Sequence, residues 1–273
     1  MSARRLAVRW LGVAVLGAAA LALSGCAGEQ GAAGSGFEPS EPGVLKVATA
    51  FLPAPGFWRG EPPTDGFEAG LAAELAKRLG LDRVEVVQVP FATIVGGDLR
   101  GADLALSQLT PTGEREQSLD FTGAYLTAPP GILARRDVDA ADVKGLRGLR
   151  WVVSRVSTLT PIVMSRIRPT GTVIRVEDRS AALEVLHADR ADVLMLDLPV
   201  ALGLAHEQPG VFHVLGQLTG ENDLAAALPD GSSNREIVDS TIRSLQADGT
   251  IDDLSSRWLG TSQDDVPLIL TEE

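Results

Sequence analysis

The sequence predicts an α/β protein of two lobes, each a mostly parallel sheet flanked by helices, hinged by two crossings. Three observations lead there. Short apolar runs of strand length alternate with segments of helical periodicity, the alternation occurs twice along the chain, and Gly and Pro punctuate it where turns are needed. The 273-residue chain is long enough to bury a core without cross-links.

The elements follow in order. Val44–Ala48 is a strand, and a loop carrying Pro53, Pro55, Pro62 and Pro63 follows it. Phe67, Leu71, Leu75 and Leu79 recur every four residues, which predicts a helix ended by Gly80. Val84–Val87 and Leu104–Ser107 are further strands, so strands and helical segments alternate as in a parallel sheet. The pattern resumes with strands at Arg150–Val153, Val173–Val176 and Val193–Leu196. Helices are expected at Pro161–Arg166, Ser180–His187 and Val200–His206. Strands at Val211–Leu215 and Leu224–Leu228 precede two closing helices. The first should open with a capping box, Ser233 with Glu236 three residues on, and the second runs from about Thr250 to Trp258. Crossings between lobes are expected near Leu126–Arg135 and Leu215–Leu224, giving a first lobe of 44–130 with 220–262, a second of 131–219, and a C-terminal tail at 263–273. Ligands of such sheets sit beyond the carboxyl ends of the strands, so the interlobe cleft is the expected site.

The N-terminus reads as an export signal over residues 1–25. Arg4, Arg5 and Arg9 precede an apolar stretch from Trp10 to Leu23, and Leu23-Ser24-Gly25-Cys26 follows. That run resembles a bacterial lipobox, in which Cys26 carries palmitate-type acyl groups and anchors the chain to the membrane from outside the cytoplasm. An ordinary signal peptide and a short membrane anchor are the other readings. Cys26 is the only cysteine, so no intrachain disulfide is available. Residues 26–43 are rich in Gly, Ala, Ser, Glu and Pro and read as a flexible tether. The net charge of −12, with three arginines spent in the leader, argues against nucleic acid as a partner. A monomer is expected.

The stretch Gly101–Tyr125 carries the clearest chemical signal. A strand end opens into Ser107, Thr110 and Thr112, and Arg115 follows three residues after Thr112. Free backbone N–H groups, hydroxyls and a planar guanidinium make a pocket for a carboxylate, although a solvated loop would read the same way. Asp197 ends a buried strand and stands where it would cap the helix that starts at Leu198-Pro199. His187, His206 and His213 lie apart, and no spacing suggests a metal, a cofactor or a nucleophile.

Together, Gly66–Leu71, Gly101-Ala102-Asp103, Thr110–Arg115 and Asp120–Tyr125 resemble the family 3 extracellular solute-binding proteins, the polar amino-acid receptors of ABC importers, over Val44 to about Leu259. The resemblance implies the type II periplasmic binding fold and partnership with a permease and an ATPase. It implies that Arg115 grips a ligand α-carboxylate, with Thr110 beside it and Gln108 where the family usually has Gly or Ser. Asp197 is then the acceptor for the α-ammonium. Ser157 and Thr158 fall at a helix start that faces the carboxylate, with Val156 where the family has Gly and a positive φ would be awkward. Phe51, Phe57 and Trp58 compete to stack on the ligand side chain, with Phe57 and Trp58 favoured. Ala50 replaces an acid common in relatives, which disfavours a cationic ligand. A neutral polar or acidic amino acid is expected, and no catalysis. The alternatives are a prephenate dehydratase-like enzyme on the same fold, with Glu221 or Asp223 as general acid, or a ligand-sensing signalling domain.

Overall fold

The structure is a computed structural model and describes residues 36–60, 63–220, 222–259 and 266–270. The leader, Cys26, most of the tether and Glu221 lie outside the described residues. From Phe37 onward the expected tether is docked: Phe37 is buried in the core, Glu38 exchanges two hydrogen bonds with the Asn234 side chain, and Ser40 N donates to Asp103.

Strand β1 (Val44–Thr49) pairs in parallel with β2 (Arg83–Gln88) and with the short β3 (Leu104–Ala105). Helix α1 (Phe67–Arg78) joins β1 to β2 and buries the predicted stripe of Phe67, Leu71 and Leu75. The turn α2 (Phe91–Val95) joins β2 to β3. Strands β4 (Leu119–Ala128) and β10 (Asn222–Pro229) complete a sheet of order β2-β1-β3-β10-β4, with β10 antiparallel to both its neighbours. Gly66 opens α1 at φ 117, and a Cβ there would meet the Phe57 carbonyl oxygen at 2.3 Å. Only glycine lets the loop carrying Phe57 close against the helix start.

After β4 a single residue, Pro129, leads into β5 (Pro130–Arg135) of the second sheet. That sheet runs β11-β9-β5-β8-β6-β7, from β6 (Trp151–Ser154), β7 (Val173–Val176), β8 (Val193–Asp197), β9 (Phe212–Leu218) and β11 (Leu268–Ile269). Helices α3 (Val143–Gly148), α5 (Arg179–His187) and α6 (Leu198–Glu207) join its strands. Residues 219–221 lead from β9 back to β10, and α7 (Arg235–Ala247) and α8 (Thr250–Trp258) then pack with α1 on the first sheet. The connections between the two sheets are short, because β4, β5, β9 and β10 extend almost to the junctions. The C-terminal segment adds a finding: β11 returns to the second sheet and pairs with β9.

Several local expectations differ. The third strand is Leu104–Ala105, not Leu104–Ser107. The helix expected at Pro161–Arg166 is one turn, α4 (Thr160–Ile162), widening into a π-turn over Val163–Ile167. The capping box does not form. Helix α7 starts after Asn234 without a side-chain cap, and Ser232 Oγ accepts from Asn234 N instead. No helix among the described residues is long and apolar enough to cross a membrane.

Candidate functional site

One pocket lies where the carboxyl ends of β3 and β8 face each other. From the first sheet come Leu52, Phe91, Ser107, Gln108, Arg115 and Asn222. The second contributes the loop Val156–Thr160, the start of α5 at Asp178 and Arg179, and Asp197.

Arg115 is buried in a 3₁₀ turn whose first N–H is accepted by Thr112 Oγ1 at 3.3 Å. Its Nη1 donates to the Thr110 carbonyl at 2.8 Å, and its Nη2 reaches across to the Val156 carbonyl at 2.9 Å. The guanidinium carbon lies 5.5 Å from the centre of the Phe91 ring, a cation–π distance. Burial pulls the Arg115 pKa below its ordinary value, while Glu114 and Asp197 oppose the shift. Val156 is not among the residues with positive φ, so the residue that stands for the expected glycine forces no strain. Its carbonyl serves as the acceptor for Arg115.

Asp197 ends β8 and is the residue before α6, yet its carboxylate does not cap the helix. It accepts from Asn222 Nδ2 at 2.6 Å, and Asn222 Oδ1 accepts from Thr158 Oγ1 at 3.4 Å. Desolvation raises the Asp197 pKa; the Asn222 hydrogen bond and the charges of Arg179 and Arg115 only partly offset it. The site thus holds a desolvated acid from one sheet and a desolvated cation from the other. Ser157 lines the pocket and its Oγ accepts from Leu159 N at 3.2 Å.

Gln108 takes φ 49, in the left-handed region that β-unbranched residues enter at a cost. A fully buried carboxylate holds it there: Glu68 accepts from Gln108 N at 2.8 Å, from Gln108 Nε2 and from the Tyr125 hydroxyl. Burial raises the pKa of Glu68 despite these donors. On its other side Gln108 Oε1 accepts from Arg179 Nη2 at 2.8 Å. A polar chain therefore runs from Tyr125 through Glu68 and Gln108 to Arg179, from the first sheet to the second.

The aromatic expectations resolve differently. Phe57 is fully buried in the first-sheet core, edge-on to Phe67 at 5.8 Å, and does not reach the pocket. Trp58 Nε1 donates to the Leu106 carbonyl at 3.1 Å, and its ring borders a separate groove. Phe91 is the aromatic ring that lines the pocket. Thr110 contributes its carbonyl to Arg115 but is not itself a lining residue. Asp223 is exposed and accepts from Thr127 Oγ1 at 2.7 Å, away from the pocket. Glu68, Arg179, Asn222 and Phe91 are the site residues that sequence reasoning missed. Glu68 had a visible signal, since it interrupts the buried stripe of α1 between Phe67 and Leu71. Arg179 directly follows the α5 cap Asp178 and looks like any solvated first-turn residue.

Two mixed sheets with a charged pocket between their strand ends define the type II periplasmic binding fold. The chain belongs to the bacterial extracellular solute-binding proteins, family 3, whose model matches residues 47–261. It is 24% identical over 256 residues to the arginine-binding extracellular protein ArtP of Bacillus subtilis, covering 92% of this chain and 97% of that one. It is 24% identical over 201 residues to the L-cystine-binding protein TcyJ of Escherichia coli K12, covering 71% and 74%. Among solved structures, an ancestral arginine-binding protein bound to glutamine superposes with a TM-score of 0.71 at 26% identity, over 81% of this chain and all of that one. These relatives are binding proteins, and this chain is an extracellular solute-binding protein, not an enzyme.

Proposed function

We propose that this protein captures a small amino acid, neutral polar or acidic, between its two sheets and delivers it to the permease of an ABC importer driven by its ATPase. The observation that supports this is the pairing of Arg115 and Asp197 across one pocket. A zwitterion needs a cation for its carboxylate and an anion for its ammonium, and each desolvated group is costly until its partner arrives. The relatives named for arginine and cystine support an α-amino acid as the ligand class. Two arginines in the pocket and Ala50 in place of an acid speak against a cationic side chain. Lobe 1 (44–130 and 220–262) and lobe 2 (131–219) close on the ligand about the two short crossings, as a population shift. The bond from Arg115 to Val156 and the chain from Glu68 to Arg179 are contacts of the closed arrangement. Cys26 is lipidated and holds the protein, as a monomer, at the outer face of the membrane.

A thermal-shift screen of the twenty amino acids tests the reading. A ligand at about 100 times its Kd stabilises by ~2.7 kcal/mol, which moves the melt of a chain this size by several degrees. A melt that no amino acid shifts, with calorimetry silent as well, would sink it.

A further inference from the structure

The pocket holds a second arginine that the zwitterion clamp does not use. Arg179 is the first residue of α5, with its guanidinium in the pocket. Its Nη2 donates to Gln108 Oε1, but its Nε is sealed from solvent and has no hydrogen-bond partner. Among the described residues no carboxylate forms an ion pair with it, nor with Arg115. Burial draws its pKa down to about 10, so it stays cationic at neutral pH. The charges of Asp197, Glu68 and Asp178 favour the cation, but each of these acids takes its hydrogen bonds elsewhere. Asp178 caps α5 by accepting from Ala181 N, Asp197 accepts from Asn222, and Glu68 accepts from Gln108 and Tyr125.

Three costs therefore meet on one side chain. It is half-buried with its Nε sealed, no carboxylate reaches ion-pair distance of it, and it sits at the helix end whose dipole disfavours a cation. A methionine would match the aliphatic stem of the arginine without any of them. A residue that breaks local rules in this way marks a place where a ligand restores the balance.

We propose that Arg179 receives a second carboxylate, so that the ligand is an amino acid with an acidic side chain. This rests on the amino-acid reading above and narrows it. Arg115 and Asp197 take the α-carboxylate and α-ammonium, and the side-chain carboxylate meets Arg179 in place of, or beside, the Gln108 amide. Side-chain length is left to the measurement, since glutamate and aspartate both carry the required group.

The test is calorimetric titration of the full protein with L-glutamate, L-aspartate, L-glutamine, L-asparagine and L-arginine. One acid should bind at least about tenfold more tightly than its own amide, the gap between a charge-assisted and a neutral hydrogen bond. Arg179→Met should remove that preference, read as the ratio of acid to amide affinity measured on the same variant, while Arg179→Lys keeps part of it. Arg179→Met should also melt close to the unsubstituted protein in the absence of ligand, because the lost hydrogen bond to Gln108 is offset by removal of a half-buried charge with no ion-pair partner. An amide or L-arginine bound as tightly as the acids would overturn the inference and leave the amino-acid reading standing. So would an acid preference that survives Arg179→Met. No binding of any amino acid would end both.

Discussion

Replacing Arg115 with methionine isolates the carboxylate clamp. Methionine keeps an unbranched apolar stem beside Phe91 and removes the charge and the donors. A guanidinium has five N–H groups. One goes to the Thr110 carbonyl and one to the Val156 carbonyl, which leaves donors for an incoming carboxylate without breaking either contact. A charge-assisted hydrogen bond contributes ~1.5–3 kcal/mol, and two to one carboxylate are not additive. The expected loss is about 3 kcal/mol, or roughly 150-fold in Kd. The free protein should melt within a few degrees of its parent, because losing the tie to Thr110 is offset by relief of a charge that burial already disfavours. Isothermal titration at neutral pH with the tightest-binding amino acid reads the first quantity, and a thermal melt reads the second. A Kd within about threefold of the unsubstituted protein, in a variant that melts normally, would refute the assignment of Arg115 as the clamp.

Asp197→Asn should weaken α-amino ligands by about 2 kcal/mol, roughly 30-fold, and change deaminated analogues little; equal losses for both would count against the ammonium role. The Asp197 pKa is raised in the free protein, and a bound ammonium lowers it. Affinity should therefore fall as pH drops through the raised value, with proton release on binding in that window, and titrations in buffers of different ionisation enthalpy should lose this release in Asp197→Asn. The stability of the free protein runs the opposite way with pH. A carboxyl held above its unfolded pKa binds its proton more tightly in the native state, so its contribution declines as pH rises from the unfolded value, about 3.9, through the folded one. Melts of the free protein across that window should flatten in the variant. Phe57→Ala should cost ~3–5 kcal/mol of stability in denaturant melts, with Kd measured below the transition little changed, because the ring fills core and not pocket. Cys26→Ser should move the protein from the membrane fraction to the medium or periplasm and abolish labelling by palmitate; retention in the membrane with labelling intact would dispose of the lipid anchor.

Periodic burial was legible in the chain, and so was chemistry confined to a short run. The stripe Phe67, Leu71 and Leu75 announces α1, and the spacing of Thr110, Thr112 and Arg115 announces the clamp. Asp197 could be found because it falls, after the apolar strand Val193–Leu196, where the family has its acid. Contacts between distant segments were not legible. Arg179 acquires meaning only from the 71-residue separation to Gln108, and Asn222 only when β10 brings it to Asp197. Phe57 misled because a Pro- and Gly-rich loop gives no period from which to tell core from cleft. The junction at Pro129-Pro130 read as a long connection because proline usually ends a strand. Here Pro130 opens β5 opposite Asp197, at the strand-initial position where a missing N–H costs nothing.

The short strand β11 bears on how far the two halves can separate. Two short junctions alone define an axle, about which the sheets could swing widely. Downstream of Leu259, which packs on the first-sheet core, Val266 and β11 lie beside β9 in the second sheet. In the closing motion proposed above, β11 straps that edge for as long as Leu268 and Ile269 stay paired. The pairing is two residues long and leaves Leu268 half exposed. The strap can therefore be unbuckled at little cost, and the maximum aperture of the cleft becomes a property that changes at the C-terminal edge can adjust without touching the ligand's own contacts.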